Sequence, residues 1–371
     1  MANQETLKTE VIVIGAGAVG LALAHRLSAK NRVVVIEKNV KFGQETSSRN
    51  SEVVHSGIYY PANSRKTEWC IRGRELLYSF CEQFKVPFLK CGKYVVATQS
   101  SDSDYLEQLK NHCDSLGIPN SYVSQTELKN REPMVNAREG LFFSESGIVD
   151  SHSMMSRLEQ LSLHQNTVFA YGHRLSKIQK NSIGWEVTLQ TSEGLEKVQS
   201  EIVINAAGLG AAQISNEALY LNRYEHRFCR GRYLNLSSKF LNAFKSLVYP
   251  TPLKDGLGVH VTRDLAGMVR LGPDVDWLTQ SNYEKVDALY DCDWESLKPD
   301  FLIAAQRYLP SLSLGDLSPG LIGLRPKLFV DQIPNLDFLM ENHEGFIHLL
   351  GIESPGLTSA MAIAEAVENL L

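Results

Sequence analysis

The chain has 371 residues, 43% hydrophobic and 21% charged, with a formal net charge of −5 and a pI near 6.1. This is an ordinary globular composition, long enough for two cores, and the scattered Lys and Arg form no stripe for a polyanion, so nucleic acid is excluded as an expected partner. No window approaches the ~20 apolar residues of a membrane span, and six cysteines without a Cys-x-x-Cys pair exclude a disulfide framework.

The first ten residues carry neither an apolar signal core nor an Arg-rich amphipathic face, which predicts a cytoplasmic address. Val11-Ile-Val-Ile14 then reads as a strand, followed by Gly15-Ala-Gly17-Ala-Val-Gly20 and an Ala/Leu-rich helix. Gly15 permits a sharp turn, Gly17 clears space for a pyrophosphate, and Gly20 lets the helix lie close to the sheet. A second apolar run, Arg32-Val-Val-Val-Ile-Glu37, closes on a carboxylate suited to ribose hydroxyls. Together they predict a bound dinucleotide and leave FAD and NAD open.

A loop from Phe42 to Ser64 leads to an amphipathic helix over Arg65–Phe84, whose Trp69, Leu76, Leu77, Phe80 and Phe84 stripe reads as core. Next come a strand at Lys93–Ala97, a charged helix near Asp102–Leu116, and a short helix capped by Ser124 and stopped by Pro133. Gly147–Asp150 feeds a helix from Ser151, and strands follow at Thr167–Ala170, Trp185–Leu189 and Glu201–Asn205. From Arg227 to Gly272 the pattern is β; a helix near Trp294–Tyr308 precedes Gly323-Leu-Arg325-Pro326-Lys327, and a Ser-Pro-Gly turn starts the last helix. There is no repeat and no long linker. This predicts an α/β fold in which a Rossmann-like domain (1–88, 145–222 and 320–371) interleaves with an antiparallel-sheet α+β substrate domain (89–144 and 223–319).

Four separated motifs resemble the FAD-dependent oxidoreductases of the D-amino-acid oxidase type: the opening glycine turn, Ile204-Asn-Ala-Ala-Gly208, Gly323-Leu-Arg-Pro326, and Gly351-Ile-Glu-Ser-Pro-Gly356-Leu-Thr358. Thr46-Ser-Ser-Arg49 through His55-Ser-Gly-Ile-Tyr-Tyr60, with Cys91-Gly-Lys93, is similar to the L-2-hydroxyglutarate dehydrogenase/oxidase branch. The resemblance implies FAD held by Gly15, Gly17, Gly20, Glu37, Thr46, Ser47, Ser48, Arg49, Ala207 and Gly208, with Gly351, Pro355, Gly356, Leu357 and Thr358 beside the flavin.

It further implies oxidation of a 2-hydroxy acid, with the C2 hydride passing to flavin N5 while a base takes the hydroxyl proton. Arg325 is the expected carboxylate clamp, and the base is His55 or His260. Lys93, Arg232, Arg270, Tyr59 and Tyr60 are candidates for a distal carboxylate. Hydride transfer to flavin requires no metal, and no His/Asp/Glu cluster with ligand spacing stands out. The electron acceptor (oxygen, a quinone or a soluble carrier) stays open, and with it peripheral contact with a membrane. An amine or amino-acid oxidase of the same fold and a non-catalytic nucleotide-binding module are the alternatives.

Overall fold

The apolar run Val11–Ile14 forms a fully buried strand inside a six-stranded sheet, as its lack of alternation requires. The computed structural model describes residues 7–252, 258–279 and 283–371, without the Glu284 side chain. Parts of the expected domain segments (1–6, 253–257 and 280–282) lie outside the described residues. Across the sheet stand Thr167–Tyr171, Val33–Glu37, Val11–Ile14, Ile202–Asn205, Phe346–Leu350 and Leu339–His343; the first five are parallel and the last is antiparallel to its neighbour.

One face of this sheet is covered by the helices Ala18–Leu27, Arg65–Phe84, Ser151–Leu163 and Gly356–Glu368, which share a core containing Val11, Val13, Leu21, Leu77, Leu158 and Ile363. The opposite face packs Ile12, Ile14 and Phe346 against Trp185, Val187 and Leu189 of a four-stranded sheet. Two strands of that smaller sheet, Arg174–Lys180 and Leu195–Ser200, are absent from the sequence-based expectation. Both are largely polar and sit at the surface, so apolar periodicity does not mark them.

The helix over Arg65–Phe84 has the predicted limits. Ser64 caps it by accepting from the Thr67 amide, and Lys85 ends it in a left-handed conformation. Trp69, Leu77 and Phe80 are buried as the stripe predicts. All six cysteines are free.

A ten-stranded sheet forms the second layer. Its spine is the long antiparallel pair Tyr224–Leu236 and Leu317–Val330, which runs from Tyr224 opposite Val330 to Leu236 opposite Leu317 with a register shift between Arg232 and Leu234. The division expected at residue 320 therefore falls inside a strand, because Leu317–Val330 belongs wholly to this sheet. One internal pair, Lys93–Ala97 with Leu247–Pro250, is parallel, so the sheet is mixed rather than purely antiparallel. Among the described residues no helix is long and apolar enough to cross a membrane.

The Arg65–Phe84 and Gly356–Glu368 helices touch through backbone at Gly73, where a Cβ would stand 2.4 Å from the Thr358 carbonyl oxygen and 2.7 Å from Ser359 Cα. Gly73→Ala gains about 1 kcal/mol of helix propensity but must separate two backbones, an overpacking cost of about 1–3 kcal/mol. The variant should therefore unfold at lower denaturant concentration than the parent. Equal midpoints would show that the two helices can part without loss.

Candidate active site

The carboxyl ends of the parallel strands open into a cavity of about 360 Å³, walled by Gly15, Gly17, Glu37, Ala207 and Gly208 from the first sheet and by Tyr233, Tyr249, His260 and Arg325 from the second. It lies where the two sheets meet.

At the glycine end, Gly15 turns the chain with φ +102°. The Ala16 amide donates to Glu37 Oε2 at 2.8 Å, while the Asn39 amide and side chain donate to Oε1, each at 2.8 Å. Burial pushes the Glu37 carboxyl up in spite of these bonds. Glu37 thus shapes the turn as well as facing the cavity, and Oε2 keeps a lone pair for a ribose hydroxyl. Gly208, at φ +53°, has open space where a Cβ would stand. With Gly17 and Ala18 presenting the start of a helix to the same space, the donors and clearance fit the pyrophosphate and ribose of FAD.

Several expected contacts act one step back from the wall. Gly20 is excluded because its Cβ would lie 1.9 Å from the Gly15 carbonyl oxygen, so its role is packing. Thr46, Ser47 and Arg49 line the cavity. Ser47 Oγ accepts from the Ala18 amide at 3.0 Å, and Arg49 lies 4.2 Å from the Tyr290 ring centre. Ser48 does not line it and bonds instead to the Glu45 carbonyl oxygen at 3.2 Å. Pro355, Gly356 and Leu357 bring the final helix to the wall. Gly351 and Thr358 do not reach it: the Gly351 amide donates to His226 Nε2 at 3.2 Å, and Thr358 Oγ1 accepts from the His55 amide at 3.1 Å.

His55, His260, Tyr59, Tyr60 and Arg325 share the wall. His55 Nε2 lies 3.3 Å from Ser354 Oγ, and burial, helped by Lys93 and His260, holds its imidazole well below the usual histidine range. A neutral ring is the form that accepts a proton. His260 stacks on Tyr249 with centres 3.6 Å apart and planes 13° from parallel. Arg325 Nη2 donates to the carbonyl oxygens of Asp274 at 2.7 Å and Arg230 at 3.3 Å. Among the described residues no carboxylate pairs with it.

Three distal candidates are displaced. Arg232 alternates away from the wall that Gly231 and Tyr233 reach, and it is tied to Asp274 and Asp276. Arg270 pairs with Asp264 at 3.6 Å. Lys93 is fully buried behind the wall, with Nζ 4.5 Å from the Tyr249 ring centre and 5.7 Å from that of Tyr59. Its Nζ has no hydrogen-bond partner among the described residues, and burial lowers its pKa to about 8.

Sequence reasoning missed Tyr233, Tyr249 and Glu353. The two tyrosines are single aromatics in β segments and carry no spacing signal. Glu353 lies inside the Gly351–Thr358 motif, and its partners are distant in sequence: Lys66 Nζ at 3.0 Å and Lys327 Nζ at 2.8 Å. Burial pushes its carboxyl up, but the two ammonium groups more than offset this and hold it low.

A glycine turn at a parallel sheet, joined by a second sheet that brings histidines and an arginine to one cavity, defines a dinucleotide-dependent oxidoreductase. The chain belongs to the family described as FAD dependent oxidoreductase, which matches residues 10–370. The mitochondrial L-2-hydroxyglutarate dehydrogenase of Arabidopsis thaliana is 37% identical over 98% of this chain and 83% of its own length. The L-2-hydroxyglutarate dehydrogenase of Escherichia coli K12 is 27% identical over 95% and 91%. Among solved structures, FAD-bound L-alpha-glycerophosphate oxidase from Mycoplasma pneumoniae superposes with a TM-score of 0.86 at 25% identity, covering 98% of this chain and 94% of that one.

The buried Lys93 gives a pH signature. An unfolded lysine keeps its proton to 10.5, the folded one only to about 8. Below pH 8 both states are protonated and the fold bears the whole cost of the buried charge, about 3 kcal/mol as an order of magnitude. Between those values the unfolded state binds more protons, so stability rises with pH. Lys93→Met should be more stable than the parent near neutrality, and denaturation from about pH 7 to about pH 10 should narrow that gap. A constant gap would rule out the buried-charge account.

Proposed function

We propose that this enzyme oxidises L-2-hydroxyglutarate, or a similar 2-hydroxy acid, to the 2-oxo acid. Arg325 carries the reading: an arginine on the cavity wall, steadied by two carbonyl oxygens and lacking a carboxylate partner among the described residues, is matched to a substrate carboxylate. FAD, when bound, supplies the acceptor for the C2 hydride. His55, kept neutral, takes the hydroxyl proton, and His260 is the second candidate for that base. Lys93 adds positive potential from behind Tyr59 and Tyr249 rather than direct contact, which favours a substrate with two negative charges. The electrons then pass to oxygen, a quinone or a soluble carrier. We place the enzyme in the cytoplasm, with peripheral membrane contact if the acceptor is a quinone.

The substrate is tested by anaerobic bleaching of the flavin with L- and D-2-hydroxyglutarate, shorter 2-hydroxy acids, sn-glycerol 3-phosphate, glycine, sarcosine and amino acids. L-2-hydroxyglutarate should bleach fastest; faster bleaching by an amine would move the enzyme to the amine or amino-acid oxidases of this fold.

The residue roles are tested by substitution. Arg325→Lys loses a two-point grip worth about 1.5–3 kcal/mol and should raise KM at least tenfold; an unchanged KM and kcat would remove the clamp. His55→Ala should stay yellow but bleach roughly 10²–10⁴-fold more slowly. Unaltered bleaching would transfer the base to His260.

A further inference from the structure

We propose that Glu341, His343 and His348 form a site for one divalent transition-metal ion of the zinc class, separate from the cavity. The three side chains come from adjacent antiparallel strands, where Glu341 stands opposite His348 and His343 follows two residues along the same face. Linear spacing hid the group, since the third ligand arrives through strand register. Its ligand atoms lie within 4.8 Å of one another, and none of the three residues lines the cavity.

The geometry suits an ion. His343 Nε2 and His348 Nε2 are 3.3 Å and 3.1 Å from Glu341 Oε2. Ligands about 2.0 Å from a tetrahedral zinc stand about 3.3 Å apart, and two imidazoles pointing at it have ring centres about 5 Å apart. The His343 and His348 centres are 5.1 Å apart, with planes at 70°.

Hydrogen bonding alone accounts for the group poorly. Glu341 Oε2 also accepts from Tyr224 Oη at 2.9 Å, so three donors crowd one oxygen that offers about two lone pairs. His348 is fully enclosed, and among the described residues its Nδ1 has no partner, so its one polar contact there is the one that converges on the cluster. A cation in place of the two ring protons removes the crowding and leaves Tyr224 to orient the carboxylate, as an outer partner of a metal ligand does. His343 and Glu341 are partly exposed, which leaves a coordination position for water. The ion would pin the edge strand Leu339–His343 to Phe346–Leu350.

The FAD-loaded enzyme, stripped with chelator, is titrated with Zn²⁺ by calorimetry and its bound metal is counted after desalting. One ion per chain is expected, with a higher melting temperature when it is bound. His343→Ala, on the exposed side, and the isosteric Glu341→Gln should each weaken Zn²⁺ binding at least tenfold and abolish the melting shift, while flavin content and turnover stay at the parent's values. No stoichiometric binding by the parent at micromolar Zn²⁺, or equal binding by the two variants, would overturn the site.

Discussion

The backbone contact at Gly20, where the Ala18–Leu27 helix lies directly on Gly15, sets the distance between the first helix and the central strand. The contact at Gly73 does the same between the Arg65–Phe84 helix and the final helix. These are contacts of peptide on peptide, so they admit little adjustment by side-chain rotation. Two helices that begin at the cavity, after Gly17 and after Pro355, are held at fixed positions as a consequence. Their first turns carry partial positive charge. Both therefore aim preset dipoles into one space, which costs no reorganisation when an anionic ligand arrives.

The second sheet depends on that frame and completes it. Gly323 lies against the Arg49 carbonyl oxygen, where a Cβ would stand 2.2 Å away, so the long Leu317–Val330 strand docks on the segment that follows the Val33–Glu37 strand. Two residues further along, Arg325 reaches the cavity. Gly231 on the paired strand leaves room for its guanidinium, since a Cβ there would be 2.9 Å from Nη2. Strand alternation then decides which arginine can meet a substrate: Gly231 and Tyr233 face the cavity, and Arg232 faces Asp274 and Asp276.

How much of this the sequence discloses follows from the range of each interaction. The glycine turn, Glu37, the Arg65–Phe84 helix and the short helix capped by Ser124 are local, so residue order alone reveals them. Roles that depend on register are not local. Arg232 and Arg325 are both arginines in β segments, and only their pairing separates an ion-paired one from one on the cavity wall. Lys93 illustrates burial in the same way: a lysine opening a strand reads as solvated, yet this one is enclosed. Glu353 sits within a recognised motif, but its meaning comes from Lys66 and Lys327, which stand 287 and 26 residues before it in the chain.

Charge along the cavity gives these placements a direction. The glycine end presents Glu37, whose carboxylate matches hydroxyl donors and repels a phosphate placed on them. At the other end, Arg325 has no acidic partner among the described residues, Lys93 stands unpaired behind the tyrosines, and Glu353 is outnumbered by Lys66 and Lys327. Positive charge without counter-ions inside a low-dielectric wall is costly to the fold and is relieved only by an anion that enters. The arrangement therefore favours one orientation, with the nucleotide sugar toward Glu37 and the carboxylates of a small acid toward Arg325. Burial keeps His55 from charging and Lys93 and His260 add to it, so part of the positive field that attracts the acid also holds the base neutral.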